Sequence, residues 1–191
     1  RYGIDKLINQ KVYKLPRAAK PQDTSLKAGG DVFEPECPDL TRLYSIIRMR
    51  KILTVLELGS GQSTKVIAAA LKKNNRDYFK EISLIRKKNP FHLYSLESEK
   101  KYADKIIKSC KKLGLDNHVT VKLVKAEQTS FNNLICGKYK KIPSICPDLI
   151  YIDGPMPMSY KNSKKQYLDM NNSDITNITC DLLIIEPILL P

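Results

Sequence analysis

Short apolar segments alternate along the chain with amphipathic ones, and this alternation predicts strands that are followed by helices. Residues 39–51 carry apolar side chains at the spacing of one helical face behind a capping aspartate, which predicts a helix. Residues 52–58 form an apolar run that is typical of a strand buried on both faces. Residues 63–74 return to helical spacing, and Ser63 or Thr64 is expected to cap this second helix.

The same alternation continues through the middle of the chain. Residues 91–97 and 118–126 predict two further strands. Between them lies a predicted helix that Ser98 caps and Gly114 ends, because glycine readily takes the positive φ of a helix terminus. Residues 147–155 predict a fourth strand that ends in a turn.

Five other segments have weaker patterns. Residues 1–38 are rich in proline and glycine and are expected to form a lead-in that is irregular or contains a short helix. Residues 76–90 are charged and resemble an insertion, residues 128–146 predict a weak helix and a loop, and residues 156–173 predict a polar loop. The last segment, 175–191, fits a strand or a helix, and its length and apolar content favour a buried helix.

The order of these elements predicts an α/β fold with a doubly wound, mostly parallel sheet. We expect one such domain over residues 39–191, preceded by the lead-in over 1–38. In sheets of this kind, ligands bind outside the carboxyl ends of the strands. Three candidate positions lie at predicted strand ends, namely residues 57–63, Glu97 and residues 153–154.

Composition narrows the class of protein. A chain of 191 residues with 42% apolar and 28% charged residues is ordinary for one globular domain, and no apolar run is long enough to insert into a membrane. The net charge of +13 comes mainly from lysines spread along the chain, so we expect a solvated surface rather than a nucleic-acid interface. Five widely spaced cysteines indicate reduced thiols and a cytoplasmic protein.

A glycine-rich turn follows the first strand and begins the second helix. Gly59 and Gly61, with Ser60 between them, permit a tight turn and close approach of a ligand, a pattern that also suits a dinucleotide. However, Thr64 stands where the dinucleotide fingerprint has its third glycine, and Glu57 precedes the turn. A carboxylate repels a pyrophosphate but attracts a ligand with an ammonium and a sulfonium group, the charge pattern of S-adenosylmethionine.

The second predicted strand ends in another acid. Glu97 can accept hydrogen bonds from both hydroxyls of a ribose. Its alternative role is that of an acid at a helix N-terminus, where it complements the macrodipole. Alternatives also exist for the other positions, since the glycines can serve only the start of a helix and residues 153–155 can be a plain turn.

Four short motifs together resemble class I S-adenosylmethionine-dependent methyltransferases. The segment ELGSGQST at 57–64 resembles their first motif, and YSLE at 94–97 resembles their second, acidic motif. KAEQ at 125–128 lies where the adenine is flanked, and IYIDGP at 150–155 resembles the fourth-strand motif. The resemblance extends over roughly residues 39–191. It implies cofactor-binding roles for Glu57, Gly59, Ser60, Gly61, Ser63, Glu97, Ala126 and Glu127.

The resemblance further implies that Asp153 faces the site of methyl transfer, as a base or as a group that orients the acceptor. A small molecule or a sugar, methylated on oxygen, is the expected acceptor, because no Asn-Pro-Pro-aromatic or Asp-Pro-Pro-Tyr motif follows the fourth strand. A divalent metal and the oligomeric state stay open. Residues 188–191 resemble the start of the turn before a fifth strand, so the native chain is expected to continue.

Two alternatives to a methyltransferase remain at this point. One is an NAD(P)-dependent oxidoreductase, which Thr64 and Glu57 disfavour. The other is a basic nucleic-acid-binding module, for which the net charge is the only argument.

Overall fold

The computed structural model describes residues 37–131, 134–155 and 175–189. These ranges contain, in chain order, α1 (Cys37–Met49), β1 (Thr54–Leu58), α2 (Gln62–Ile82), β2 (His92–Glu97), α3 (Lys100–Lys112), β3 (Val119–Leu123), β4 (Ala126–Phe131), β5 (Leu134–Tyr139), β6 (Leu149–Ile152), β7 (Ile175–Thr179) and α4 (Asp181–Ile185). Two 3₁₀ turns, Asp116–His118 and Glu186–Ile188, complete the set. The predicted polar loop and nearly all of the predicted lead-in lie outside the described residues.

A four-stranded parallel sheet forms the centre of the fold, in the order β3-β2-β1-β6. This is the order of the first four strands of a doubly wound, Rossmann-like sheet. The predicted α/β class and the four predicted parallel strands are thereby confirmed. The chain passes from β1 to β2 on one side and later returns to β6 on the other, so a topological switch point lies between β1 and β6.

Helices cover one face of this sheet. Side chains from α1, α2 and α3 pack there against alternate residues of β1 and β2, such as Val55 and Leu93. The cluster is made of fully or nearly fully buried residues, including Leu40, Leu43, Ile47, Val66, Ile67, Ala70, Leu71, Ile106 and Cys110. The predicted apolar faces of the three helices are confirmed at these positions, whereas Ile107 of α3 is exposed.

The opposite face is covered by a second, three-stranded sheet in the order β4-β5-β7. Tyr139 of β5 and Ile185 of α4 pack there against Leu56, Leu58 and Leu96 of the parallel sheet. The prediction of a weak helix and loop over 128–146 is therefore wrong. Its polar residues show no clear period, and antiparallel pairing of β4 with β5 supplies the backbone partners that the sequence pattern could not reveal.

The third parallel strand and the last segment also differ from expectation. Strand β3 ends at Leu123, and Ala126 already belongs to β4, so the predicted strand over 118–126 is two strands. The last segment begins as β7 and continues as the short α4, whose residues 182–184 are exposed. The prediction of one buried helix over 175–191 is wrong, because β7 gains hydrogen-bonding partners in β5.

Helix α2 is longer than predicted and takes up the first part of the supposed insertion. Its Asn74 is buried and donates hydrogen bonds to the carbonyls of Ile47 (3.1 Å) and Ile52 (2.8 Å), which ties the end of α1 to α2. One turn later, Asp77 forms an ion pair with Arg48 (2.6 Å). These contacts stabilise polar residues inside the helix, so the polar sequence from 74 onwards does not end it.

The boundaries of α3 agree with prediction at one end only. Gly114 has a φ of +63° just after the helix, as expected for a C-terminal glycine. The N-cap is Glu99 rather than Ser98.

In the described parts of the chain, none of the helices has the length and apolar character that crossing a membrane requires.

Candidate cofactor-binding site

The glycine turn, residues 59–61, connects β1 to α2 at the carboxyl edge of the parallel sheet. Each of its amide hydrogens is donated to a protein oxygen atom: Gly59 to the Leu96 carbonyl (2.9 Å), Ser60 to the Glu97 carboxylate (3.1 Å) and Gly61 to the Thr64 hydroxyl (2.9 Å). A phosphate-binding turn instead directs its amide hydrogens at the ligand. The amides of this turn are therefore already occupied.

Gly59 lies against the backbone that follows β6. Its φ is +93°, and a Cβ atom at this position would lie 2.7 Å from the Gly154 nitrogen and 2.9 Å from the Asp153 carbonyl oxygen. No side chain fits there. The Asp153 amide also donates to the Leu58 carbonyl (2.7 Å), so the ends of β1 and β6 are held together and place Asp153 beside the glycine turn.

Glu57 lies beneath the turn and is fully buried. Its carboxyl oxygens accept hydrogen bonds from the Ser63 hydroxyl (2.7 Å) and the Thr64 hydroxyl (2.7 Å). Burial is the main cause that raises the pKa of Glu57 to about 7; the charge of Asp153 contributes to this rise, and the neighbouring hydroxyls act in the opposite direction. The carboxyl has no exposed surface, so its expected contact with a ligand stays a prediction.

The cap of α2 differs from the sequence-based expectation. Gly61 is the N-cap, and its amide donates to the Thr64 hydroxyl, which is the half of a capping box that a glycine N-cap allows. Ser63 and Thr64 lie inside the first turn, after the N-cap, and their hydroxyl hydrogens are directed at Glu57. The acid in β1 thus determines how α2 begins.

Glu97 lies at the rim of the turn and is 6% exposed. One carboxylate oxygen accepts the amide and the hydroxyl of Ser60, at 3.1 and 2.7 Å. The other accepts the amides of Ser98 (2.8 Å) and Glu99 (2.9 Å) at the start of α3. The second role considered for Glu97, as an acid near a helix N-terminus, fits these contacts, whereas its role as an acceptor for ribose hydroxyls stays a prediction.

Asp153 completes the group of acids. It is exposed at the end of β6, and its carboxylate lies near the turn, 3.9 Å from where a Cβ atom on Gly61 would be. Desolvation of its carboxyl by neighbouring protein atoms raises the pKa of Asp153, and the charge of Glu97 adds to this shift. The structure thus brings together at one edge of the sheet the predicted residues Glu57, Gly59, Ser60, Gly61, Ser63, Glu97 and Asp153.

Ala126 and Glu127 lie on β4, in the second sheet. Glu127 forms ion pairs with Lys138 and Lys140, each at 3.3 Å, and these partners, Lys140 first, hold the pKa of Glu127 below its usual range. Its described contacts are with lysines rather than with the glycine turn. The expectation that this pair flanks an adenine stays a prediction.

Two residues at the site were not predicted to belong to it. Thr64 connects the turn to Glu57, and Tyr139 donates a long hydrogen bond (3.4 Å) to the Leu96 carbonyl. The Tyr139 hydroxyl also lies 3.6 Å from where a Cβ atom on Gly154 would be. A hydroxyl seven positions after a strand-end acid was a usable signal for Thr64, whereas Tyr139 lay in a segment that was misassigned.

Over residues 37–131, 134–155 and 175–189, no group of three or more His, Cys, Asp or Glu side chains is arranged to hold a metal ion.

Comparisons with known proteins give similarities of structure only. No protein-family model and no curated protein matches the sequence. One similar solved structure is a protein from Klebsiella pneumoniae provisionally assigned as an O-methyltransferase, with 19% identity, a TM-score of 0.44 and coverage of 78% of this chain and 55% of that one. Another is the O-methyltransferase TomG of Streptomyces achromogenes, involved in tomaymycin synthesis and solved with SAM, with 15% identity, a TM-score of 0.43 and coverage of 75% and 53%. The chain spans about half the length of these two proteins.

Proposed function

We propose that this chain is an S-adenosylmethionine-dependent methyltransferase that binds its cofactor at the glycine turn. The observation that carries the proposal is the combination of occupied amides and converging acids. The three amides of the turn donate to protein oxygens, while Glu57 lies beneath the turn, and Glu97 and Asp153 lie at its rim.

This arrangement disfavours a dinucleotide. A pyrophosphate needs free amide hydrogens and is repelled by carboxylates at short range. A cofactor with an ammonium and a sulfonium group needs no free amide hydrogens. Carboxylates such as those of Glu97 and Asp153 attract it. The same geometry therefore argues against an NAD(P)-dependent oxidoreductase, which was the main alternative.

The residues present suit an adenosine with a ribose at Glu97. Carboxylate oxygens are good acceptors for two adjacent hydroxyls. Glu97 already accepts five hydrogen bonds, and the hydroxyls of Ser60 (2.7 Å) and Ser98 (3.5 Å) are the donors that can rotate away and be replaced by the two ribose hydroxyls. Gly59 and Gly61 let the ligand approach the backbone, and Ala126 and Glu127 are assigned to the adenine side.

Asp153 is assigned to the acceptor side. When bound, S-adenosylmethionine supplies an electrophilic methyl group, and the protein supplies alignment. An exposed carboxylate with a raised pKa beside the turn can orient an acceptor hydroxyl or take its proton. We further propose a small molecule or a sugar, methylated on oxygen, as the acceptor, from the sequence resemblance and the motifs absent after the fourth strand. We propose the cytoplasm as the compartment from the five widely spaced cysteines. A divalent metal stays open, and the resemblance offers Asp153 as one ligand for it.

Calorimetric titration separates the two cofactor classes. We expect S-adenosylhomocysteine to bind the purified chain and to raise its melting temperature, because a ligand of the folded state stabilises it. NAD and NADP should do neither under the same conditions. Binding of NAD with no response to S-adenosylhomocysteine would overturn the proposal.

A further inference from the structure

A continuous chain of hydrogen bonds connects the glycine turn to the buried acid below it. The Gly61 amide donates to the Thr64 hydroxyl (2.9 Å), and the same hydroxyl donates to the Glu57 carboxyl (2.7 Å). A hydroxyl has one hydrogen and two lone pairs. Because Glu57 takes the hydrogen, a lone pair of Thr64 is left for the Gly61 amide.

Glu57 draws the Thr64 hydrogen away from the backbone. A threonine in a helix can donate its hydrogen to the carbonyl three or four residues earlier, which here belongs to Gly61 or Ser60. Such a bond would move the hydroxyl away from the Gly61 amide. Glu57, enclosed and with both oxygens accepting hydroxyls, competes for that hydrogen from a fixed place in β1.

We infer that Thr64 and Glu57 are positioning residues, which hold the Gly61 end of the glycine turn in the conformation that receives the cofactor. The inference rests on the proposed function, since it concerns the same turn. It gives Glu57 a role that needs no contact with the ligand. It also explains a threonine at the position where a dinucleotide fingerprint has glycine, because glycine would leave both the Gly61 amide and Glu57 without this partner.

Three variants isolate the Thr64 hydroxyl. Thr64→Val keeps the shape and removes the hydroxyl, and Thr64→Ser keeps the hydroxyl and removes the methyl group. Thr54→Val is the matched control, because Thr54 is also buried and lies on β1, but its hydroxyl has no hydrogen-bond partner in the described part of the chain. Gly61 amide exchange by NMR and the dissociation constant for S-adenosylhomocysteine are measured at a temperature where all variants are folded.

Thr64→Val is expected to accelerate Gly61 amide exchange about tenfold and to weaken S-adenosylhomocysteine binding about tenfold, because a lost partner at a part-buried donor is costly. Thr64→Ser should restore both quantities to within about threefold of the unmodified protein, and Thr54→Val should change neither beyond about twofold.

Two results would overturn the inference: unchanged exchange and affinity in Thr64→Val, or a Thr64→Ser variant as impaired as Thr64→Val. The second result would assign the effect to packing of the methyl group. Should no variant and not even the unmodified chain bind S-adenosylhomocysteine, the proposed function fails. Gly61 exchange in that case still decides whether Thr64 holds the turn, so the two failures are distinguishable.

Discussion

Acidic residues lie on both sides of the glycine turn, but their burial and their hydrogen-bond donors differ. On the inner side, Glu57 is sealed between β1 and α2, and its oxygens accept hydroxyls of the helix that it holds. On the outer side, Glu97 accepts a rotatable Ser60 hydroxyl, and Asp153 is exposed. Burial and the mobility of the donors therefore decide which acid shapes the turn and which acids can meet a ligand.

The acids on the two sides of the turn also differ in the negative charge that they can offer to a ligand. Burial brings the pKa of Glu57 to about 7, so near neutrality this group is only partly charged. Negative charge available to a cationic ligand is therefore concentrated on the outer side, at Glu97 and Asp153. The inner acid contributes structure, and the outer acids contribute recognition.

The largest effect is expected where the two strand ends meet. Gly59→Ala places a Cβ atom 2.7 Å from the Gly154 nitrogen at a φ of +93°, so overlap adds to backbone strain. We expect a loss of roughly 2–5 kcal/mol in the free energy of unfolding and displacement of Asp153. Denaturant unfolding measures the loss.

Gly114→Ala is the matched control for strain without overlap. It also has positive φ, +63°, but the nearest atom to a new Cβ is the flexible Lys72 amine at 3.6 Å. A loss of only about 1–2 kcal/mol is expected. Equal losses in the two variants would show that contact with Gly154 contributes nothing.

The inner acid should make stability depend on pH. The folded protein keeps a proton on Glu57 up to a pKa of about 7, whereas the unfolded chain releases it near 4.5. The associated stability is fully present below pH 4.5 and is lost as pH rises through 7, for a total of roughly 3 kcal/mol. Glu57→Gln removes this dependence, so the variant should gain stability relative to the unmodified protein from pH 4.5 to 8.

Urea unfolding at several pH values tests this point. The difference in free energy of unfolding between variant and unmodified protein should change with pH in the stated direction. Parallel curves would mean that Glu57 is ionised throughout, and the contrast between inner and outer acids would lose its electrostatic part.

Glu97, the outer acid at the end of β2, should control affinity for the cofactor. Glu97→Gln replaces one acceptor oxygen by an amide donor, so it cannot receive both ribose hydroxyls. We expect S-adenosylhomocysteine affinity to fall about 10- to 100-fold in a calorimetric titration. Glu99→Gln, at the exposed neighbouring acid whose side chain makes no cap hydrogen bond, should change affinity by less than about twofold. Similar losses of affinity in both variants would mean that the effect comes from removing a negative charge near the site and not from the hydrogen bonds of Glu97.

Asp153 should affect turnover more than binding. Asp153→Asn keeps the size of the side chain and removes its basicity, so we expect cofactor affinity within about threefold and turnover lower by roughly 10- to 100-fold once an acceptor is found. Turnover of the unmodified protein should also fall as pH falls through the raised pKa of Asp153. An unchanged turnover in Asp153→Asn would remove it from the chemistry.

Much of the parallel sheet could be predicted because buried strands and amphipathic helices have strong patterns. Residues 52–58 and 91–97 are such cases, and the fold over 39–123 follows from them. The second sheet could not be predicted from the sequence. Strand β4 is polar, and its pairing with β5 depends on tertiary contacts such as those of Tyr139. Intrinsic strand preference is weak compared with such contacts.

The positions of the acids at strand ends were predictable, but their directions were only partly so. Glu57 lies two residues after Val55, and alternate strand residues share a face, so the sequence places the two side chains on one face; the structure shows that this is the face that α2 covers. The spacing of Thr64 from Glu57 was a usable signal, but the contact itself depends on the φ and ψ of the turn. The partnership of Glu127 with two lysines required knowledge of the β4–β5 pairing.

A crystal structure of the chain with S-adenosylhomocysteine tests the central claim most directly. The ribose hydroxyls are predicted to lie on Glu97 in place of the Ser60 and Ser98 hydroxyls, with Glu57 still enclosed by Ser63 and Thr64. A ligand bound away from Glu97, or a phosphate group held by the amides of residues 59–61, would contradict it.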